Sequence, residues 1–264
     1  MPKVARIAPH MWEEPCISGT NGSGAVFFSG CTLRCVFCQN YEISAKNNGT
    51  YISVSKLAQE FKALEDSGVH NINLVTPTPY VNAIIEALSI YKPNIPVVYN
   101  CSGYEDLNTI KKLEGYVDIY LPDFKYSQNT LAEKYSSAKN YVEIATNAIK
   151  EMVRQTGSAE FDHNGIMQKG TIIRHLVLPN HTKNSIGVLD IIKENFSDCM
   201  VSLMGQYTPL GKAKEFEKLN RKITQREYNK VKDYLFDLDI DGFVQELSSA
   251  GEKYVPVWDY DGSR

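Results

Sequence analysis

The chain has 264 residues, six of them cysteine, and carries 28 Lys and Arg against 31 Asp and Glu, a formal net charge of −3. That mild acidity speaks against nucleic-acid binding through bulk charge, and no run of about 18 apolar residues offers a transmembrane helix. No apolar signal-peptide core precedes Glu13 and Glu14, and six cysteines are too few for a disulfide scaffold, so a reducing, cytoplasmic location is expected.

Residues 1–23 read as an irregular arm rich in Pro, Gly and Ser. Ala25–Phe28 is the first strand and leads into a cysteine-bearing loop. Helical periodicity runs from Val54 to Leu64, with Ser53 or Ser55 as N-cap and Gly68 as the stop. Then come strand Ile72–Val75, helix Val81–Leu88, strand Pro96–Tyr99, helix Glu105–Leu113 and strand Val117–Leu121. Helices are expected over Leu131–Tyr135 and Val142–Arg154, and a surface turn or hairpin over Gly157–Lys169. Strand Thr171–Leu178, helix Ile186–Asn195 and strand Met200–Met204 complete six βα units. The basic stretch Lys212–Arg226 reads as a solvated lid or helix face, before helix Tyr228–Phe236 and a short strand Gly242–Gln245. Six such units in one domain imply a parallel sheet with right-handed crossovers, either a barrel or a doubly wound sheet.

Three of the six cysteines, Cys31, Cys35 and Cys38, lie within eight residues. In a cytosolic protein such a cluster points to metal ligation. A buried helical stripe gives the same i, i+4, i+7 spacing. A closed zinc site needs a fourth ligand, for which only His10 and Cys16 could fold back. Three thiolates without an evident fourth suit a [4Fe–4S] cluster with one iron left open.

The C-x-x-x-C-x-x-C spacing, with Phe37 just before the third cysteine, resembles the signature of the radical S-adenosylmethionine (SAM) superfamily. His-Met-Trp-Glu-Glu-Pro-Cys (10–16), Cys-Val-Phe-Cys-Gln-Asn-Tyr-Glu-Ile-Ser (35–44) and Asp-Phe-Lys-Tyr (123–126) resemble in particular its pyruvate formate-lyase activating enzyme-like branch, of unassigned substrate. The resemblance implies a partial (β/α)6 barrel with a lateral gap over 24–264, carrying a C-terminal extension, with 1–23 packing on it as an arm. It also implies a cluster on Cys31, Cys35 and Cys38. The open iron would chelate the methionine moiety of SAM, and reductive cleavage would give a 5′-deoxyadenosyl radical for hydrogen abstraction.

Chemistry in such barrels gathers at the carboxyl ends of strands. Where family members carry a Gly-Gly-Glu-like segment, this chain has Thr76-Pro77-Thr78, making Thr76 and Thr78 the candidates for the methionine amino group. Asp123 and Lys125 match the Asp-x-Lys motif of the activating enzymes, whereas Asn100 and Cys101 stand where those carry Asp-Thr. Lys125 would pair with the methionine carboxylate, Phe37 would flank the adenine, and Asp123, Asn100 and Arg174 would line the cofactor. Arg174 and His175 alternate on strand five, so one of them points inward; the resemblance to the activating enzymes implies that it is Arg174, and His175 and His181 are expected to be structural. Gln206 and Tyr207 replace a histidine near the adenosine, the first as a cofactor contact and the second as a catalytic candidate. Cys101 is a candidate catalytic or hydrogen-donating thiol, and Cys199 a small core residue.

The expected function is therefore a radical SAM oxidoreductase fed by flavodoxin or ferredoxin, with a glycyl-radical enzyme as one substrate. A peptide, an RNA or a small metabolite is the alternative substrate. A non-catalytic iron–sulfur or zinc protein that senses redox state or docks a partner is the reading from another class.

Overall fold

The computed structural model describes residues 1–245 and Leu247. Its elements run β1 (Lys3–His10), α1 (Pro15–Ser18), β2 (Ser23–Phe28), α2 (Tyr41–Ser44), β3 (Thr50–Tyr51), α3 (Val54–Asp66), β4 (Ile72–Val75), α4 (Val81–Ile90), β5 (Val97–Cys101) and α5 (Leu107–Lys111). They continue as β6 (Ile119–Pro122), α6 (Asn129–Ser136), α7 (Tyr141–Thr156), β7 (Glu160–Phe161), β8 (Met167–Leu176), α8 (Thr182–Asn195), β9 (Met200–Met204), α9 (Gln225–Asp237) and β10 (Gly242–Val244). Among the described residues no helix is long and apolar enough to cross a membrane. Part of the C-terminal extension expected from the sequence lies outside the described residues.

The strands form one sheet in the order β10-β9-β8-β6-β5-β4-β2-β1-β3, with β7 paired to β8. From β2 to β10 every neighbouring pair is parallel. β1 joins antiparallel beyond β2, and β3 and β7 are short antiparallel additions. The sheet is therefore an unclosed partial barrel rather than a doubly wound layer, and the edges at β10 and at β1 and β3 do not meet among the described residues.

Alternation along each strand sorts side chains between the two faces. Val26, Phe28, Ile72, Leu74 and Val97 point outward against Leu57 and Phe61 of α3 and Ile84 and Leu88 of α4. Further round, Tyr99, Tyr120, Ile173, Val201 and Leu203 meet α7, α8 and α9 through Ile149, Val188, Leu189, Val231 and Leu235. Ser53 caps α3 by accepting a hydrogen bond from the Lys56 amide, and Thr224 with Glu227 forms a capping box on α9. On the inner face, Val98, Ile119, Leu121 and Ile172 close on Cys16 and Ile17 of α1.

Residues 1–23 are not irregular, contrary to the sequence expectation. Eight of them form β1, which pairs with β2 through a register shift between Val4 and Arg6. Pro9 and the register shift hide the strand's alternation, and a proline is tolerated there because beyond β3, which meets only Lys3 and Val4, that side of β1 is an edge. α1 then enters the barrel interior as part of its apolar layer. Asn100 and Cys101 belong to β5 rather than following it, and α5 is shorter than expected, starting after its cap Asp106 rather than at Glu105 and ending at Lys111. The basic segment expected as a lid or helix face is a pair of 3₁₀ turns, Gly211–Glu215 and Glu217–Leu219, with exposed lysines over buried Ala213 and Leu219.

Candidate functional site

The loop after β2 is held by its backbone, not by helix formation. Gly30, at φ +87°, turns the chain, and its amide donates to the Ile43 carbonyl. The Arg34 and Val36 amides donate to the carbonyls of Ser136 and Tyr135 at the end of α6. Leu33 and Phe37 anchor the loop in the core at 3 % and 7 % exposure. The segment is not helical, which removes the helical-stripe alternative.

Cys31, Cys35 and Cys38, all half-buried, line one cavity at the carboxyl ends of the strands. The Ser136 hydroxyl donates to Cys35 Sγ at 3.0 Å, and the Ser44 hydroxyl lies 3.1 Å from Cys38 Sγ. Burial pushes the Cys31 thiol up to about 12 and the Cys35 thiol up to about 11, with Lys125 opposing the shift at Cys35. Among the described residues no group of three His, Cys, Asp or Glu side chains is gathered to hold a single metal ion. A four-iron cube takes each thiolate on a different iron, so separated thiols with hydroxyl donors and a nearby ammonium fit it. Cys16 packs with Ile17 against Val98 and Ile119 and does not line the cavity, so it is no fourth ligand.

A ladder of charges crosses the same cavity. Lys125 is paired with Asp123, and Arg174 Nε donates to Asp123 Oδ1 at 3.2 Å. Arg174 Nη1 donates to Glu13 Oε2 at 2.8 Å and Nη2 to Asn100 Oδ1 at 3.2 Å. The amides of Asn73 and Asn100 donate to Glu13 Oε1 at 3.1 and 3.3 Å. Burial alone would raise Asp123, but Lys125 and Arg174 hold its carboxyl below the usual range. The same pairing outweighs burial at Lys125 and at Arg174 and keeps both cations charged. Gly103, at φ +75°, lets the loop after β5 lie against the Asp123 carbonyl, where a Cβ has no room.

The other expected residues also reach the cavity. Thr76 and Thr78 line it, and Thr76 adopts φ +57°. A β-branched residue in that region is strained by about 1–3 kcal/mol, at the position where the resemblance expects a glycine. Phe37 and Tyr207 form an aromatic wall with ring centroids 6.1 Å apart. The Tyr207 hydroxyl is turned out of it and donates to the Leu219 carbonyl at 2.8 Å. Gln206 and buried Cys101 complete the set. Behind Cys101, Glu105 is buried, with Oε1 accepting from Ser102 and Oε2 without a partner; burial pushes its carboxyl up to about 7. Arg174 points inward as expected, and His175 outward, its ring held by the Phe124 carbonyl at 2.7 Å and the Ser185 hydroxyl at 2.9 Å. Burial pushes His175 down to about 4 and keeps it neutral. His181 packs on Tyr135.

Among the cavity residues that the sequence did not name as cofactor, catalytic or cluster residues are His10, Trp12, Glu13, Glu14 and Gln245, of which His10 enters the sequence reading only as a fold-back zinc ligand. The first four belong to the N-terminal string 10–16, which carries part of the resemblance but assigns no role to its members. His10 comes from one free edge of the sheet and Gln245 follows the other, so the cavity reaches the gap in the barrel.

A 35 % identical relative, described as uncharacterized protein MJ0674 of Methanocaldococcus jannaschii, aligns over 232 residues, 84 % of this chain and 63 % of that protein. The chain thus spans just under two thirds of that relative's length. Among solved structures, methylornithine synthase overlays with a TM-score of 0.55 at 16 % identity, over 81 % of this chain and 62 % of that one. HydG, a maturase of the [FeFe]-hydrogenase, overlays with a TM-score of 0.53 at 13 % identity, over 82 % and 49 % of the two chains. These two likenesses bear on the fold alone. The family model for the radical SAM superfamily matches residues 25–190, more than half of the sequence and including the cysteine loop, Asp123, Lys125 and Arg174, and on that match the chain belongs to the radical SAM superfamily.

Proposed function

We propose that the protein is a radical SAM enzyme of the activating-enzyme type that abstracts a hydrogen atom from its substrate, with a glycyl-radical enzyme as the first substrate class to test. The observation that carries this reading is the meeting of three cysteine thiols with the Lys125–Asp123–Arg174 ladder in one cavity at the strand ends. When bound, a [4Fe–4S] cluster on Cys31, Cys35 and Cys38 together with SAM supplies a 5′-deoxyadenosyl radical.

The protein's own part is to bind, orient and keep water out. Lys125 offers its ammonium to the methionine carboxylate, and Asp123 fixes that ammonium while sharing its charge with Arg174. Thr76 and Thr78 offer hydroxyls to the methionine amino group. Phe37 and Tyr207 give the adenine an apolar face, and Gln206 a polar edge. Asn100 holds Arg174, and Cys101 lines the cavity from the strand end with its side chain packed on the Tyr99 side of β5. The electron comes from flavodoxin or ferredoxin, and the oxygen sensitivity of a cluster with an open iron fits a reducing cytoplasm.

The test is anaerobic reconstitution with iron and sulfide, then SAM and a strong reductant. Formation of 5′-deoxyadenosine is expected. Zinc without iron in protein purified anaerobically, or an intact cluster that yields no 5′-deoxyadenosine, overturns the reading in favour of a non-catalytic metal protein. For the substrate, a glycyl-radical signal in a glycyl-radical enzyme encoded beside this one supports activation. Its absence, with SAM cleavage intact, shifts the substrate to a peptide, an RNA or a small metabolite.

A further inference from the structure

The far end of the charge ladder from the cysteines carries more hydrogen-bond acceptors than the protein uses. Glu14, 5 % exposed, lines the cavity, and its Oε2 has no hydrogen-bond partner among the described residues, where the nearest cation, Arg174 Nη1, is 3.9 Å away and already donates to Glu13. Ser202 stands in register with Arg174 across the parallel pair β8 and β9, on the same face and at the same level. Its fully buried hydroxyl lies beside Glu14 without completing a hydrogen bond. Asn73 Oδ1 is buried and unpartnered, while the other end of that amide holds Glu13. Gln245 Oε1, on the cavity wall, is unpartnered too.

Glu14 Oε2 and Gln245 Oε1, both on residues that line the cavity, are buried acceptors with no donor among the described residues, a costly arrangement when left dry. The charges are also unequal. Among the described residues the cations paired with Glu13, Glu14 and Asp123 are Lys125 and Arg174, both already engaged by Asp123 and Glu13; burial pushes His10, beside Glu13, down, and pushes the Glu14 carboxyl, which has no cation of its own, up. A group with several N–H donors and one positive charge would satisfy both deficits. A carboxylate or phosphate would meet Glu13 and Glu14 and worsen them. Leu176, Met204 and Phe27 line the cavity as well, so the charged group can arrive on an apolar stem.

We propose that this end of the cavity is the substrate pocket and that it takes an alkylammonium group, with Glu14 as its main acceptor and Ser202 and Gln245 beside it. The inference rests on the reading of the cavity as a radical SAM site and names the substrate chemistry of that site. A free amine and a lysine side chain of a peptide present the same group.

The test is calorimetric titration of the full-length, anaerobically reconstituted protein with n-butylammonium, n-butanol, butyrate and an N-acetyl-lysine amide. The 5′-deoxyadenosine yield is measured on the same preparation. Saturable binding of butylammonium is expected, about tenfold or more tighter than butanol or butyrate, since a charge-assisted hydrogen bond contributes about 1.5–3 kcal/mol. Glu14→Gln should weaken it about tenfold. Gln245→Leu, which removes only a wall residue and leaves the ladder untouched, should weaken it several-fold, so the proposal stays testable if Glu14→Gln misfolds. Tighter binding of the lysine amide assigns the group to a peptide side chain, and tighter binding of butylammonium to a free amine. Butanol or butyrate binding as well as the ammonium, binding unchanged in both variants, or ordered water alone on these oxygens in a butylammonium-soaked crystal overturns the pocket. A preparation that binds butylammonium but makes no 5′-deoxyadenosine overturns the cofactor reading; one that makes 5′-deoxyadenosine but ignores the ammonium overturns the pocket alone.

Discussion

Glu105→Gln should make the metal-free protein more stable at neutral pH and flatten its pH dependence. Glu105 is 2 % exposed and accepts from Ser102 through Oε1, while Oε2 is buried without a partner. Burial raises its carboxyl from 4.5 to about 7, against the opposing pull of the nearby Thr78, Ser102 and Cys101 groups. The folded state therefore favours the protonated acid, while the unfolded chain ionises from pH 4.5 upward. Wild-type stability has no such penalty below pH 4.5, falls as pH rises towards 7, and carries the full penalty above it. At 1.36 kcal/mol per pH unit that penalty is about 3 kcal/mol. Glutamine keeps an oxygen for Ser102 and never ionises. The stability of Glu105→Gln relative to wild type should therefore grow by up to about 3 kcal/mol between pH 4.5 and 8. Urea unfolding of both proteins at pH 5, 6, 7 and 8 measures this, because other titrating groups cancel in the difference. A difference that does not change with pH, or a variant less stable at pH 8, refutes the reasoning.

Cys31→Ala, Cys35→Ala and Cys38→Ala should each drop bound iron well below the about four per chain expected of a [4Fe–4S] cluster and abolish 5′-deoxyadenosine formation; iron analysis and chromatography check both. Arg174→Met leaves Glu13 and Asp123 buried without their shared cation, so denaturant unfolding should show a loss of about 3–5 kcal/mol. Adding Glu13→Gln to Arg174→Met should recover part of that loss, and strict additivity of the two changes would argue against the ion pair. Ile17→Ala opens a void in the apolar layer between α1 and the strands, where Ile17 is fully buried, and should cost about 2–5 kcal/mol in the same measurement.

What the sequence revealed and what it hid follow from the range of the interactions. Cys31, Cys35 and Cys38 are neighbours in the chain, so their spacing alone is informative. Asp123 and Lys125 were found because an apolar run marks the end of a strand and the Asp-x-Lys resemblance falls just after it. Strand alternation set Arg174 and His175 on opposite faces and the resemblance chose Arg174 as the inward one; the structure places them so. Tyr207 was legible as a cavity residue but not in its orientation, because its hydroxyl is captured by Leu219 in a segment that reads only as charged. β1 escaped because Pro9 and a register shift erase its alternation, and its pairing depends on β2. Glu13 lies 161 residues from the guanidinium it holds, and no local pattern marks that contact. The parts of the cavity proposed to perform chemistry therefore rest on short-range motifs and strand ends. The parts proposed to choose the substrate, Glu14, Ser202 and Gln245, converge only when α1 enters the barrel and β10 closes on β9. A chain that keeps the cysteine loop and the ladder can thus change its substrate through an N-terminal segment that lies outside the family match.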